Sequence, residues 1–184
     1  MADTTWFWLS VLVAILHQAL VWIVWRAQLG WGALTRLFGR GDMVVWGLLF
    51  MPLFIARPAV TLALALSDQG SLALPRIAAV ILGLGLLAPA LYTLYSAEHY
   101  FGLGRALGGD HFRRDYREMP LVREGAFRWS GNAMYAFAFL GLWSIAFLAG
   151  SQAALSVALF QHAYVWVHYY CTEAPDMALL YGCL

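Results

Sequence analysis

The chain has 184 residues, of which 62% are hydrophobic and only 11% charged, with a mean hydropathy of +0.70. That composition lies outside the soluble range and marks an integral membrane protein. The net charge is +1 and all eleven basic residues are arginine, so no lysine-rich tail or basic stripe offers itself to nucleic acid.

Five apolar segments follow in chain order, at about 6–25, 43–66, 77–97, 133–149 and 152–170, each measured against the roughly 20 residues that a helix needs to cross the hydrocarbon core. The first has no basic n-region and no convincing small-residue cleavage site, so it reads as a retained helix and not as a signal peptide. The second carries Arg57-Pro58 in its middle, with Pro52 before it. A mid-membrane arginine costs roughly 2.5–3.5 kcal/mol on insertion scales, so Arg57 is expected to pair with Glu98, hold a lipid phosphate or sit in a packed ion pair. The prolines are expected to kink or split the span. Trp22, Trp25, Trp31 and Trp46 read as interfacial belts. The last two segments are short and joined only by Gly150-Ser151, which predicts a tight antiparallel hairpin.

Arginines cluster after the first span (Arg26, Arg36, Arg40) and after the third (Arg105, Arg113, Arg114, Arg117, Arg123, Arg128), whereas Arg76 alone borders the second loop. The positive-inside rule then places the N-terminus outside and the C-terminus in the cytoplasm. With no internal repeat or linker, residues 1–184 read as one all-α domain of about five transmembrane helices, a multi-pass protein of a bacterial inner membrane. Its one sizeable extramembrane element runs from Glu98 to Asn132. The two cysteines, Cys171 and Cys183, lack the spacing of a zinc site or a disulfide framework and read as free thiols, and no metal is expected.

The polar text gathers at that cytoplasmic side. "FGLGRALGGDHF" follows the third span, "REGAFRWSGNAMY" leads into the fourth, and "HYYCTEAPDMALLYG" follows the fifth. In order and spacing these three motifs resemble the membrane methyltransferases of the phospholipid N-methyltransferase and isoprenylcysteine carboxyl methyltransferase superfamily. Gly125, Phe127, Arg128, Trp129, Met134 and Tyr135 occupy places matching or similar to the fourth-span motif of that family, with Gly131-Asn132-Ala133 where Arg-His-Pro stands in many members. Asparagine at the histidine position is similar to the phospholipid branch.

The resemblance implies a methyltransferase dependent on S-adenosylmethionine, with S-adenosylhomocysteine as product, a catalytic chamber at the cytoplasmic side, and a lipophilic acceptor entering from the bilayer. It points first to an aminophospholipid, then to a carboxyl or other small-molecule acceptor. A sterol-reductase-like enzyme using NADPH and a noncatalytic membrane scaffold are the remaining alternatives. The donor's carboxylate suits Arg128 and its ammonium suits Glu173. Gly102 and Gly104 match the family's Gly-x-Gly element, expected against the adenosine. Asn132 is expected either to fix the donor's polar groups or to cap the fourth helix, and Tyr135, one turn on, to face the same pocket. His162, an ionisable residue within a span, is expected to face a cavity and is preferred over His168 as a cofactor ligand. Glu98-His99 reads as a solvated helix end or a further site element. Where the family has Glu-Glu-Pro this chain has Glu173-Ala174-Pro175-Asp176, which leaves Glu173 and Asp176 as the catalytic carboxylates, Asp176 acting on the amine as base.

Overall fold

The computed structural model describes residues 2–182. Cys183 lies outside the described residues; Cys171 is an exposed free thiol. The described chain is helical throughout: α1 (Ala2–Trp31), α2 (Ala33–Phe38), α3 (Asp42–Ser67), α4 (Arg76–Ser96), the short α5 (Leu103–Ala106) and α6 (Arg114–Arg117), α7 (Leu140–Ala149), α8 (Gln152–His168) and α9 (Ala174–Tyr181). Among the described residues three helical stretches are long and apolar enough to cross a membrane, Thr4–Trp31, Ala33–Ser67 and Arg76–Phe101; Met134–Ala149 is a shorter apolar helix. Their outward faces are greasy, with Leu48, Ile55, Leu62 and Leu66 of α3 and Ile77, Ile81 and Leu84 of α4 exposed. An apolar surface of that extent suits lipid.

Pro52 and Pro58 do not split the second span: α3 runs unbroken through both. Each proline deletes only one i→i−4 bond, and the long apolar helix is held by its packing on α1 and α7. At one end of the bundle the core consists of small residues and short aliphatics, Leu64, Ala65, Ala146, Ala149, Ala154 and Val157, which let helix backbones approach closely. Gly83 serves the same purpose between α4 and α7, because a Cβ there would lie 2.7 Å from the Leu148 side chain. The turn between α7 and α8 is the expected hairpin. Gly150 takes the left-handed conformation, and Ser151 caps α8 by accepting from Ala154 N–H at 3.0 Å. Asp68 in turn accepts from the Ser151 hydroxyl at 2.7 Å.

At the opposite end, the loop from Gly102 to Ser130 folds over the bundle as a fixed cap. Two tryptophans expected at the interface are here buried instead. Trp46 is fully enclosed and donates its indole N–H to Leu107 O at 2.7 Å; Trp25 stacks on His111 with ring centroids 4.2 Å apart. Trp22 and Trp31 are exposed, as a belt requires. The sequence pattern could not separate the two pairs, since the cap that covers Trp25 and Trp46 comes from a distant segment. Arg113 grips the buried Asp42 carboxylate with both terminal nitrogens, Nη1 reaching Oδ2 at 2.7 Å, and so pins the cap to the start of α3 through a bidentate, charge-assisted pair.

Candidate active site

Three helices depart from α-geometry at the capped end, each by a single π turn: Ala97–Phe101 after α4, Met134–Ala138 before α7 and Tyr169–Glu173 after α8. A π turn accommodates one extra residue and swings the succeeding residues around the axis, and such turns concentrate at functional sites. Here they carry Glu98 and Tyr135 to one cavity wall and bring Glu173 against Tyr135. The first closes with Gly102 N–H donating to Ala97 O at 2.9 Å, where Gly102 adopts φ +85°, ψ 137°, a region that side chains essentially exclude.

Beneath the cap lies a cavity of about 240 Å³. Its walls are mostly apolar, with Leu103, Leu107, Met134, Phe139 and Val165 among them, and its polar points are Glu98, Tyr135, His168, His17, Gln18 and Arg57. The Tyr135 hydroxyl donates to the Glu173 carboxylate. Burial pushes the Glu173 carboxyl above the ordinary carboxylate range, an effect that the Tyr135 hydroxyl partly opposes. Several buried nitrogens around the cavity make no hydrogen bond: Nδ1 of His168, Nε2 of Gln18, both ring nitrogens of His17 and Nη2 of Arg57. Buried polar atoms are nearly always satisfied in native proteins, so this concentration of orphans in one cavity marks a place where a polar ligand is expected.

The structure brings some of the sequence-predicted residues to this cavity and disperses others. Tyr135 lines it, and Glu173 sits behind Tyr135. Of the glycine pair, neither lines it; Leu103 between them does. Gly104 is required for a different close approach, since a Cβ there would fall 2.3 Å from the Tyr116 hydroxyl. Arg128 stands on an exposed turn with its guanidinium 4.9 Å above the Trp129 ring, away from the cavity. Asn132 places no side-chain cap on the following helix. Its main-chain carbonyl accepts from Tyr135 and Ala136 N–H at 3.0 Å each, and the Ser130 hydroxyl accepts from Asn132 N–H at 3.1 Å. His162 accepts from the Trp143 indole at 3.1 Å and stacks on Phe139, whereas His168, ranked second to it on the sequence, lines the cavity. Six residues separate the two, and six residues of helix turn a side chain well off its starting face.

Asp176 is fully buried in the first turn of α9 and points away from the cavity. His111 Nε2 approaches its Oδ2 at 3.2 Å and Arg26 Nη1 its Oδ1 at 3.1 Å. The other ring nitrogen of His111 faces Gly108 O at 3.2 Å. Nearby, Tyr181 donates to Asp110, and burial together with that carboxylate pushes the phenol up to about 12. These contacts clamp α9 and the cap onto α1.

Sequence reasoning missed His17 and Gln18. The available signal was their polarity in the middle of an apolar span, which in a membrane points to the bundle interior. Arg57 was noticed, but its partner is neutral: Nε donates to Gln161 Oε1 at 2.9 Å, and among the described residues no carboxylate forms an ion pair with it. Among the described residues no cluster of histidine, cysteine and carboxylate is arranged to hold a metal ion.

Residues 78–183, more than half of the chain, match the family model described as phospholipid methyltransferase. The chain is similar to phosphatidylethanolamine N-methyltransferases of yeasts. It is 26% identical to that of Candida albicans and 28% to that of Meyerozyma guilliermondii, in each case over 103 residues that make up 56% of this chain and 12% of the relative. The matched stretch is thus a small part of those longer proteins. No solved structure matches. The three π turns, the cap and the cavity's Tyr135–Glu173 side all fall within the matched stretch, and the chain belongs to the phospholipid methyltransferase family.

Proposed function

We propose that the chain is an S-adenosylmethionine-dependent methyltransferase whose acceptor is the amine of an aminophospholipid. The observation that carries this reading is the mostly apolar cavity with a few polar points, walled in part by the family-matched segment, with Tyr135 and a half-buried Glu173 at its edge. S-adenosylmethionine, when bound, supplies a methyl group activated on a sulfonium.

The residues present fit that donor. Glu98 in the cavity wall provides a carboxylate for its ammonium, the apolar wall around Leu103 and Leu107 suits the adenosine, and the unbonded Nδ1 of His168 leaves a donor for its oxygens. Arg128 has no place in this set. Glu173, with Tyr135, takes the proton that an ammonium acceptor must lose before its lone pair can attack; a carboxyl held above its usual range is better matched to that task. The cavity also excludes bulk water, which would compete for the methyl group. Asp176 and Asn132 act by position: Asp176 holds α9 against α1 and the cap, and the Asn132 carbonyl fixes the turn that presents Tyr135.

In this reading the chain is one domain of five spans, Met134–Ala149 and Gln152–His168 being the shorter two, with the capped end in the cytoplasm and S-adenosylhomocysteine released there. A bacterial inner membrane is the setting that the sequence reading favours; the yeast relatives give that compartment no support.

Calorimetry in detergent tests the proposal. The protein should bind S-adenosylmethionine and S-adenosylhomocysteine and transfer a labelled methyl group to dioctanoyl phosphatidylethanolamine. Binding of NADPH without response to S-adenosylmethionine would replace the reading with a reductase, and binding of neither would leave a scaffold.

A further inference from the structure

The deep end of the cavity has not been used by the donor. Arg57 is buried there at 7% exposure, its Nε held by Gln161, its guanidinium carbon 4.9 Å above the Phe139 ring, and its Nη2 without a hydrogen bond. Gln161 is itself engaged, donating to Thr61 at 3.1 Å, so the pair is a built support and not a loose contact. An arginine stays protonated in a protein, and among the described residues no carboxylate forms an ion pair with this one. Around the same space His17 leaves both ring nitrogens free and Gln18 leaves Nε2 free. Arg57, His17 and Gln18 all lie before residue 78, outside the stretch matched to the family.

Two further observations say what the cationic end faces. Phe139 follows Tyr135 by four residues, so the guanidinium over its ring sits about one helical turn deeper in the bundle than the Tyr135–Glu173 pair. A second groove of about 260 Å³ runs along the outer face between α1 and α8, past Trp22, Tyr164 and Val167, and meets the cavity at Gln18 and His168. Acyl chains lying in that groove would enter from the lipid side.

We propose that Arg57, assisted by His17 and Gln18, binds the phosphodiester of the acceptor lipid and sets its amine, two carbons away, at Tyr135 and Glu173. The two carbons between phosphate and amine match the separation of about one helical turn between Arg57 and the Tyr135–Glu173 pair. The inference rests on the aminophospholipid reading above and adds to it the group that selects a phosphate-bearing acceptor.

The test compares wild type with Arg57→Gln by calorimetry, using dioctanoyl phosphatidylethanolamine, dioctanoylglycerol, inorganic phosphate and S-adenosylmethionine as separate probes. Losing a charge-assisted hydrogen bond is expected to weaken phospholipid binding about ten- to hundredfold, down to the affinity of the phosphate-free glyceride, while the affinity for S-adenosylmethionine stays within about twofold. Arg57→Lys, which keeps a cation but not the planar fork, should recover part of the loss. If Arg57→Gln does not fold, Gln18→Leu removes one neutral donor and should cost the phospholipid a several-fold loss with the donor unaffected. Equal losses for phospholipid and S-adenosylmethionine would assign Arg57 to the donor and overturn the proposal, as would an unchanged phospholipid affinity. Inorganic phosphate binding as tightly as the phospholipid would make this a free-anion site and overturn the lipid source. Phospholipid binding that depends on Arg57 in a protein that transfers no methyl would sink the methyltransferase reading and leave this site standing.

Discussion

Replacing Asp176 by asparagine separates a base from a brace. The change is isosteric and removes one charge from a side chain that is wholly enclosed. Its contact with His111 is shielded on both sides, each side chain at 0% exposure, so the charge-assisted hydrogen bond there is worth about 1.5–3 kcal/mol. Its contact with Arg26 is weaker despite the similar distance: the arginine side chain is 39% exposed, and the approach to Oδ1 lacks hydrogen-bond geometry. Exposed pairs of this kind contribute about 0.2–1 kcal/mol. The buried contact therefore dominates, and Asp176→Asn is expected to cost about 3 kcal/mol, or roughly 6–12 °C for a chain of this size. Arg26→Gln should cost no more than about 1 kcal/mol. The measurement is the unfolding midpoint in detergent followed by tryptophan emission, to which Trp25, stacked on His111, contributes a local signal. A His111→Asn partner completes a double-mutant cycle, and its coupling with Asp176 should exceed that between Asp176 and Arg26. An Asp176→Asn protein with an unchanged midpoint and slow turnover would refute this reasoning and restore Asp176 as the acceptor's base.

Glu173→Gln should raise stability while weakening the chemistry. Because burial raises the native carboxyl above its unfolded value, the native state binds the proton more tightly, so wild-type stability falls as pH rises from the ordinary carboxylate range through the raised value. The glutamine variant should show no such fall, exceed wild type in midpoint at pH 8 and match it in acid. Gly108→Ala tests the close approach of the cap: φ is +79° and a Cβ would lie 2.4 Å from the rigid Trp25 ring, so strain and overpacking together should cost about 2–4 kcal/mol. Gly32→Ala, also left-handed at φ +60° but facing open space, should cost only about 1 kcal/mol, and equal midpoints for the two variants would refute the packing argument. Orientation is read by cysteine labelling at the exposed Gln152 and Glu124, Ser151 and Asp110 being buried. Gln152→Cys should react from outside and Glu124→Cys only from the cytoplasm; the reverse would move the chamber away from the cytosolic donor.

The fold was legible wherever a property repeats along the chain. Apolar runs located α3 and α4 to within a residue or two and α1 less closely, since it continues to Trp31 past its apolar run, and Gly150-Ser151 announced its turn, because both depend on local composition and backbone conformation. The candidate site was legible only as far as motif order reached: Tyr135 and Glu173 meet as the three quoted stretches suggested. What local text did not carry was the rotational phase of the helices. His162 and His168 were ranked without knowing which face of α8 looks inward, and a π turn at each of three helix ends shifts that phase by an amount periodicity cannot record. Arg128 was assigned by charge alone, and charge does not say that the turn bearing it lies outside the cavity.

The burial pattern of the carboxylates shows why motif reading and geometry part company at the C-terminus. Glu173 and Asp176 are three residues apart, neighbours on a helix, and motif reading keeps Glu173 as the first carboxylate of the family's pair and offers Asp176 as the displaced second. Their partners decide otherwise. Glu173 closes the π turn and meets a phenol at the cavity edge, whereas Asp176, in the first turn of α9, is already committed to His111 from the cap. A carboxylate held in that way is poorly placed to accept a proton from a substrate, because protonating it would forfeit the contact that seats the cap. The same logic runs in reverse for Arg57, whose neutral partner leaves its charge unspent inside the bundle. In a low-dielectric interior a charge already answered builds structure, and one left unanswered points to a ligand.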